Sequence, residues 1–177
     1  IIFVSLNFTN EYYYHMFKEI SVNKLEENPF HLIGKQWMLI TAGQLDSYNI
    51  MTAAWGGFGY LWNLPVTTIF IRPQRYTFEF TEKNEFYTLA FFEKKHKNIL
   101  TYCGTHSGKK YDKAKDTGLI IRETDLGNIY FEQARLVLEC KKLYYDDIKP
   151  EHFVDRLIQR NYPKKDYHRM YIGKVIK

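Results

Sequence analysis

The strongest constraint on this chain is how its strand-like runs are joined. Gln36-Trp-Met-Leu-Ile-Thr-Ala42, Val66-Thr-Thr-Ile-Phe-Ile-Arg72 and Glu85-Phe-Tyr-Thr-Leu-Ala-Phe-Phe92 are rich in β-branched and aromatic residues. Such runs read as strands. The segments between runs have room for turns or single short helices only. A doubly wound parallel sheet needs a crossover helix after nearly every strand, and the middle of the chain does not supply them. The pattern therefore predicts a mainly β fold, an antiparallel barrel with a few short helices. Composition points the same way: 18% of residues are aromatic, with 15 Tyr and 13 Phe, and aromatics favour strands.

Further strands are expected over 49–54, 129–131, 134–145 and 167–176. The run over 134–145 alternates imperfectly, as a barrel strand buried for part of its length would. Pro73 stops the ladder before a short helix over 76–83, with Tyr76 and Phe80 on one face and Asn84 closing it. Helices are also expected over 94–103, over 112–117 (ended by Gly118) and over 150–160, with Phe153, Leu157 and Ile158 inward. Asn28-Pro29 marks a loop, and Cys103 precedes a glycine in a loop. At 177 residues the chain is long enough for one domain with its own core. Met16-Phe-Lys-Glu-Ile20 reads like a protein start. Residues 1–15 are accordingly expected to be an N-terminal extension and 16–177 a single domain.

The net charge of +5 is spread out. Lys94-Lys95-His96-Lys97 reads as a solvated helix face and Lys109-Lys110 as a candidate anion site. A basic nucleic-acid-binding barrel is the least favoured reading, and no nucleic-acid partner is expected. The two cysteines, Cys103 and Cys140, have no metal or redox spacing, so a reducing cytoplasm is expected. His31, His96, His106 and His152 lack ligand spacing, and no metal is expected. No run is long enough to span a bilayer, and Ile1-Ile-Phe-Val-Ser-Leu6 lacks the flanks of a signal peptide.

The chemistry concentrates in Asn49-Ile-Met-Thr-Ala-Ala-Trp-Gly-Gly-Phe-Gly-Tyr-Leu-Trp-Asn63. A short strand enters a small-residue, Gly-rich turn between Trp55 and Trp62. Small side chains let a flat ligand approach the backbone. Arg72-Pro-Gln-Arg-Tyr-Thr77 then puts arginine at a helix start, where free N–H groups and the positive dipole end attract anions. Together they suggest a nucleotide-like cofactor with a planar ring and an anionic end. Gly56-Gly57-Phe58-Gly59 does not supply GxGxxG, and no GxxxxGK[ST] exists, so neither dinucleotide nor P-loop mechanics apply.

The order of these motifs carries a resemblance. Leu32-Ile-Gly-Lys-Gln-Trp-Met-Leu-Ile-Thr-Ala-Gly43, Asn49 to Gly59, Trp62-Asn63 and Arg72 to Thr77 are followed by Ser107-Gly108, Asp112-Lys113, Thr117-Gly-Leu119 and Asp166-Tyr-His-Arg-Met-Tyr-Ile-Gly173. Over roughly residues 28–175 the chain resembles the flavin reductase-like family of FMN-binding split barrels. The resemblance implies an antiparallel split β-barrel that dimerises, with FMN near the subunit interface. It implies that Met51, Thr52, Ala53, Ala54 and Trp55 line the ring. It implies that Arg72, Tyr76 and Thr77 hold the phosphate; Arg75 is the weaker candidate, since it could face solvent. Ser107, Gly108 and Lys109 form a second polar loop for phosphate or ribityl. The family has Arg-Asp after Ser-Gly where this chain has Lys109-Lys110, so the fork of Arg is lost and the acid reversed. Lys113 is expected to cap its own helix. His168 would approach the ring of the partner subunit's flavin as donor or proton relay, or else serve as a structural interface histidine.

The function so implied is an FMN-dependent oxidoreductase. Electrons would pass from NADH or NADPH through FMN to a flavin, ferric or protein acceptor. The alternative is a flavoredoxin-like electron carrier with no NAD(P)H turnover of its own.

Overall fold

The computed structural model describes residues 2–6 and 16–177. The expected extension over 1–15 falls largely on residues 7–15, which lie outside the described residues. Antiparallel strands dominate, joined by turns and short helices.

The first strand, β1 (Ile2–Leu6), pairs with β2 (Met16–Ile20) and with the middle of the molecule. Asn28 then accepts hydrogen bonds from the Phe30 and His31 N–H groups, capping α1 (Pro29–His31) where the sequence suggested only a loop. A widened turn over Leu32–Gln36 leads into β3 (Met38–Gln44) and β4 (Ser47–Ala53).

Gly56–Leu61 is β5, a strand rather than the expected Gly-rich turn. The chain reverses instead at Trp62 and Asn63, with φ of 52° and 57°. Two successive left-handed residues make the hairpin turn whose twist matches the flanking strands. The partner strand is β6 (Leu64–Ile71), followed by α2 (Tyr76–Lys83) and β7 (Phe86–Phe92). α3 (Lys97–Thr105) takes in Cys103, which is therefore helical and buried rather than in a loop. Asp112 caps α4 (Lys113–Thr117) by accepting from the Lys115 N–H, and Gly118 ends it in the left-handed region, as expected.

The short β8 (Ile121–Glu123) and β9 (Ile129–Phe131) form a separate ribbon before the long β10 (Ala134–Asp147). The expected helix over 150–160 is two 3₁₀ turns, Pro150–His152 and Arg156–Asn161. Asp155 accepts from the Leu157 N–H and starts a new turn, which breaks the helix. Leu157 and Ile158 are exposed, not inward, and Phe153 is half-buried. The last strand is β11 (Arg169–Val175).

The main sheet runs β4-β3-β7-β10-β11-β6-β5, with β1 and β2 attached beside β10. Every ladder is antiparallel. β4 and β5 close the two ends without hydrogen-bonding each other, so the ladder itself is open. β10 shows why its alternation looked imperfect. Its first half lies between β7 and β1 and is buried, while its second half pairs with β11 and reaches solvent.

Both faces of the central strands are covered. Met38, Ile40, Ala42, Tyr87, Leu89, Phe91, Leu136 and Leu138 belong to one buried cluster. Leu39, Ala90, Phe92 and Val137 belong to the other, with Ile99, Leu100 and Cys103 of α3 packed onto them. Among the described residues no helix is long and apolar enough to cross a membrane.

Candidate cofactor site

A cavity of about 570 Å³ opens between β4, the head of α2 and the loop after α3. β4 is an edge strand, bonded to β3 alone. Its second edge therefore presents backbone N–H and C=O groups that no strand takes up. Met51, Thr52 and Ala53 of this strand, with Ala54 and Trp55 beyond it, form one wall of the cavity.

That wall is fixed from behind. The Asn49 amide donates to the Thr77 hydroxyl at 2.7 Å, tying β4 to the first turn of α2. The Thr52 hydroxyl donates to the Leu100 carbonyl of α3. Gly108 presses on the same place: a Cβ there would lie 1.8 Å from the Asn49 side-chain oxygen. Only glycine lets the Ser107-Gly108 loop approach so closely.

The head of α2 faces the cavity. Its N-cap residue, Arg75, makes no side-chain cap, so the first N–H groups of the helix are left for a ligand or water. Tyr76 and Thr77 line the cavity here, with Gln74 and Arg75. Arg75, the weaker phosphate candidate in the sequence, is exposed. Yet it also lines the cavity and donates to the Gly104 carbonyl at 3.0 Å. Among the described residues no carboxylate pairs with it.

Arg72 is differently placed. It donates to Asp166 at 2.6 Å and to the Asn161 carbonyl at 2.8 Å, and it lies over the Tyr162 ring. Gln74 donates to the same Asp166 oxygen. The hydrogen bond from Arg72 holds the Asp166 carboxyl below its usual range. Arg72 thus reaches the cavity while latching the segment before β11.

That segment brings in His168. It is 8% exposed, lies 4.8 Å from the Trp55 ring, and shares a 3.0 Å hydrogen bond between Nδ1 and the Tyr162 hydroxyl. Burial, with repulsion from Arg72 second, pushes the imidazole down to about 4. It is neutral at ordinary pH.

Of the residues the sequence singled out, Met51, Thr52, Ala53, Ala54, Trp55, Arg72, Tyr76, Thr77, Ser107, Gly108 and His168 all line this one cavity. Lys109 does not: its ammonium pairs with Glu79 at 2.8 Å and lies over the Tyr76 ring. The structure adds Asn49, Phe70, Thr105, His106 and Lys113 to the lining. Asn49 was visible as the first residue of the key motif, whereas Phe70, Thr105 and His106 carried no local signal. Lys113 does not cap its own helix. Its side chain turns inward and donates to the Ile50 carbonyl at 2.7 Å and the Cys103 carbonyl at 2.9 Å. Burial pushes the Cys103 thiol up to about 11, which disfavours the reactive thiolate.

The sequence profile described as flavin reductase like domain matches residues 30–177, and the chain belongs to that family. A comparison with curated proteins returned no match. Solved structures share the fold. An FMN-binding protein from Thermus thermophilus superposes with a TM-score of 0.63 at 19% identity, over 92% of this chain and 79% of that one. A flavoredoxin from Methanosarcina acetivorans gives 0.62 at 19% identity, over 90% and 74%. An NADH:FAD oxidoreductase from Streptomyces globisporus gives 0.62 at 14% identity, over 80% and 73%.

Proposed function

We propose that this protein binds FMN in the cavity beside β4 and works as a flavin reductase-like oxidoreductase, taking electrons from NADH or NADPH. The observation that carries the reading is the pairing of two unlike ends in one cavity. One end is a flat backbone edge flanked by small side chains. The other is an uncapped helix start beside an arginine that has no carboxylate partner among the described residues. The first suits the polar rim of a planar ring, and the second suits a phosphate. Gly108 and Ser107 line the cavity between them, where the slender chain joining ring and phosphate would run.

When bound, FMN would supply the hydride and electron chemistry. The chain's own residues bind and orient. Met51 to Trp55 present backbone groups to the ring edge. Arg75, Tyr76, Thr77 and Ser107 take the phosphate end, with Arg72 behind them. His168 has Nδ1 engaged by Tyr162, so Nε2 is the nitrogen left to meet a ligand atom or pass a proton. Its neutral state keeps a positive charge away from the ring side.

The flavoredoxin and the oxidoreductase among the structural relatives mark two ways to use such a site. In the second reading the protein is an electron carrier with no NAD(P)H turnover of its own. We read residues 16–177 as one FMN-binding domain whose curved sheet is the family's split barrel, assembled as a homodimer. Residues 1–15 are read as an extension that docks on β10 through β1. Two free cysteines, both buried, suit a reducing cytoplasm.

The test is the purified protein's absorption spectrum and the flavin released on denaturation. Flavin bands with FMN released support the reading; a colourless protein that FMN cannot reconstitute ends it. Steady-state NAD(P)H oxidation by the FMN-bound protein then separates reductase from carrier.

A further inference from the structure

The basic run Lys94-Lys95-His96-Lys97 reads as a solvated face in the sequence, but the fold divides it. Lys95 is exposed and His96 half-buried. Lys94 and Lys97 instead line a cavity of about 460 Å³, together with His31, Lys35, Phe92 and Leu100. This cavity shares no lining residue with the one beside β4. Its floor is apolar: Phe92 at the end of β7 is 3% exposed and Leu100 of α3 is 2% exposed. Its rim carries Lys35 and Lys94, both exposed. Among the described residues no carboxylate lies within ion-pair distance of either ammonium, and Glu93, the one acid in the lining, makes no ion pair.

Lys97 positions this rim. Its ammonium donates to the Lys35 carbonyl at 2.8 Å and to the Gln36 carbonyl at 3.2 Å, at the end of the widened turn over Leu32–Gln36. It also lies 3.1 Å from the centre of the Trp37 ring. Burial draws its pKa below the ordinary lysine value. Trp37 has a φ of 71°, a conformation that a bulky residue adopts only under constraint. Arg135 donates to the Gln36 side-chain oxygen at 2.7 Å and fixes the turn again. Widened turns of this kind recur at functional sites. Here the turn is held, at a conformational cost, where it brings Lys35 to the same rim as Lys94.

We propose that this cavity is a second binding site, for a small organic anion whose apolar body lies on Phe92 and Leu100 and whose acidic group pairs with Lys35 and Lys94. The apolar floor favours such a molecule over a bare inorganic anion. The two unpaired ammoniums favour it over a neutral one. Lys97 is a positioning residue, since its ammonium is already engaged by the turn. The inference goes beyond the FMN reading and does not depend on it.

The experiment is calorimetry of the full chain at low salt with 1-naphthoate and with decanoate. Each carries one carboxylate, on a planar body in the first and a flexible chain in the second. At least one should bind at a single site per chain, and either ranking supports the proposal while assigning the shape of the body. The variant Lys35→Gln/Lys94→Gln should weaken that carboxylate about fivefold or more. Both changes fall at exposed positions, so its thermal melt should match the wild type. Neutral 1-naphthamide should change by less than about twofold between the two proteins. Lys164→Gln/Lys165→Gln removes the same charge from exposed positions elsewhere and should leave carboxylate affinity within about twofold. No saturable binding of either carboxylate overturns the inference. So does an equal loss in the two double variants, or an equal loss for the neutral amide. A change of oligomeric state in Lys35→Gln/Lys94→Gln without carboxylate binding also overturns it, giving this face to a second copy of the chain. None of these results bears on the FMN site, which the flavin released on denaturation tests separately.

Discussion

The cavity has two walls built in opposite ways. The β4 wall is part of a seven-residue strand that pairs with β3 from Met38↔Ala53 to Gln44↔Ser47. It is pinned again from behind by Thr77, Leu100 and Gly108. The second wall takes His168 from the end of the segment Arg156 to His168, which among the described residues joins no ladder and stands behind it. Val154 ahead of it and Leu157 within it are exposed at 100% and 58%. It is held by the Arg72–Asp166 ion pair, the Tyr162–His168 hydrogen bond and a cluster of Phe153, Tyr162 and Tyr167 rings. A ladder spreads its stabilisation over many bonds, whereas a latch concentrates it in a few. The first wall should therefore fail only when backbone is displaced. The second should fail to a single side-chain change or to acid.

Displacing backbone at the first wall gives the largest expected effect. In Gly108→Ala the new methyl would overlap the Asn49 side chain, so either the loop or the Asn49–Thr77 bond must yield. Such overpacking costs about 1–3 kcal/mol. FMN affinity should drop about 100-fold, a loss of about 2.7 kcal/mol, because ring wall and phosphate end move relative to each other. Flavin titration together with a thermal melt checks this. Wild-type affinity in the variant would show that the two walls do not differ in the way described.

Acid should open the second wall first. The His168 pKa is depressed on folding, from an ordinary value near 6.5 to about 4. A histidine held neutral in this way gives its full stabilisation above the unfolded pKa. That stabilisation is lost as pH falls from about 6.5 to about 4, and it is of order 2 kcal/mol. Asp166, whose carboxyl is held low by Arg72, adds a further loss at the acidic end. Denaturant melts across this window should show the slope, and His168→Gln should flatten it. An unchanged slope would remove His168 as its source.

The two arginines sharpen the contrast within one motif. Arg75→Ala removes a cavity-lining guanidinium that makes no ion pair among the described residues, so FMN affinity should fall about tenfold with the melting temperature little changed. Arg72→Ala instead leaves Asp166 without its cation. It should lower the melting temperature, with any loss of FMN following from the loosened latch. The reverse ranking would mean that Arg72 is the phosphate ligand and Arg75 a bystander.

This contrast also explains what the sequence could and could not convey. Strands of the first wall and core were legible because burial on both faces forces apolar and β-branched runs, as in Leu39 to Ala42 and Phe86 to Phe92. Helix ends were legible where one residue type does the work, as at Asp112 and Gly118. The segment over 150–160 misled because Leu157 and Ile158 mimic a helix face, yet local capping by Asp155 decides the backbone there. Gly56 to Leu61 misled because glycines suggest a turn, while the reversal falls on Trp62 and Asn63, of which only the asparagine favours positive φ. The latch joins Arg72 to Asp166 across a gap of 94 residues, and no local pattern encodes a partner that far away. Lys113 failed for the same reason: its motif was visible, but its direction was not.

The smallest expected effect concerns Lys109, the one singled-out residue that the fold turns away from the cavity. It is more than half exposed and pairs on the surface with Glu79. Exposed pairs of this kind contribute little, because solvent and salt screen them. Lys109→Ala should leave FMN affinity within about twofold, because surface charges at this distance are screened by salt. Titration at low and moderate salt tests the point. A loss of tenfold or more would mean that the Ser107-Gly108 loop swings Lys109 inward when the ligand arrives. The first wall would then be mobile at its glycine, and the division between a fixed wall and a latched one would no longer hold.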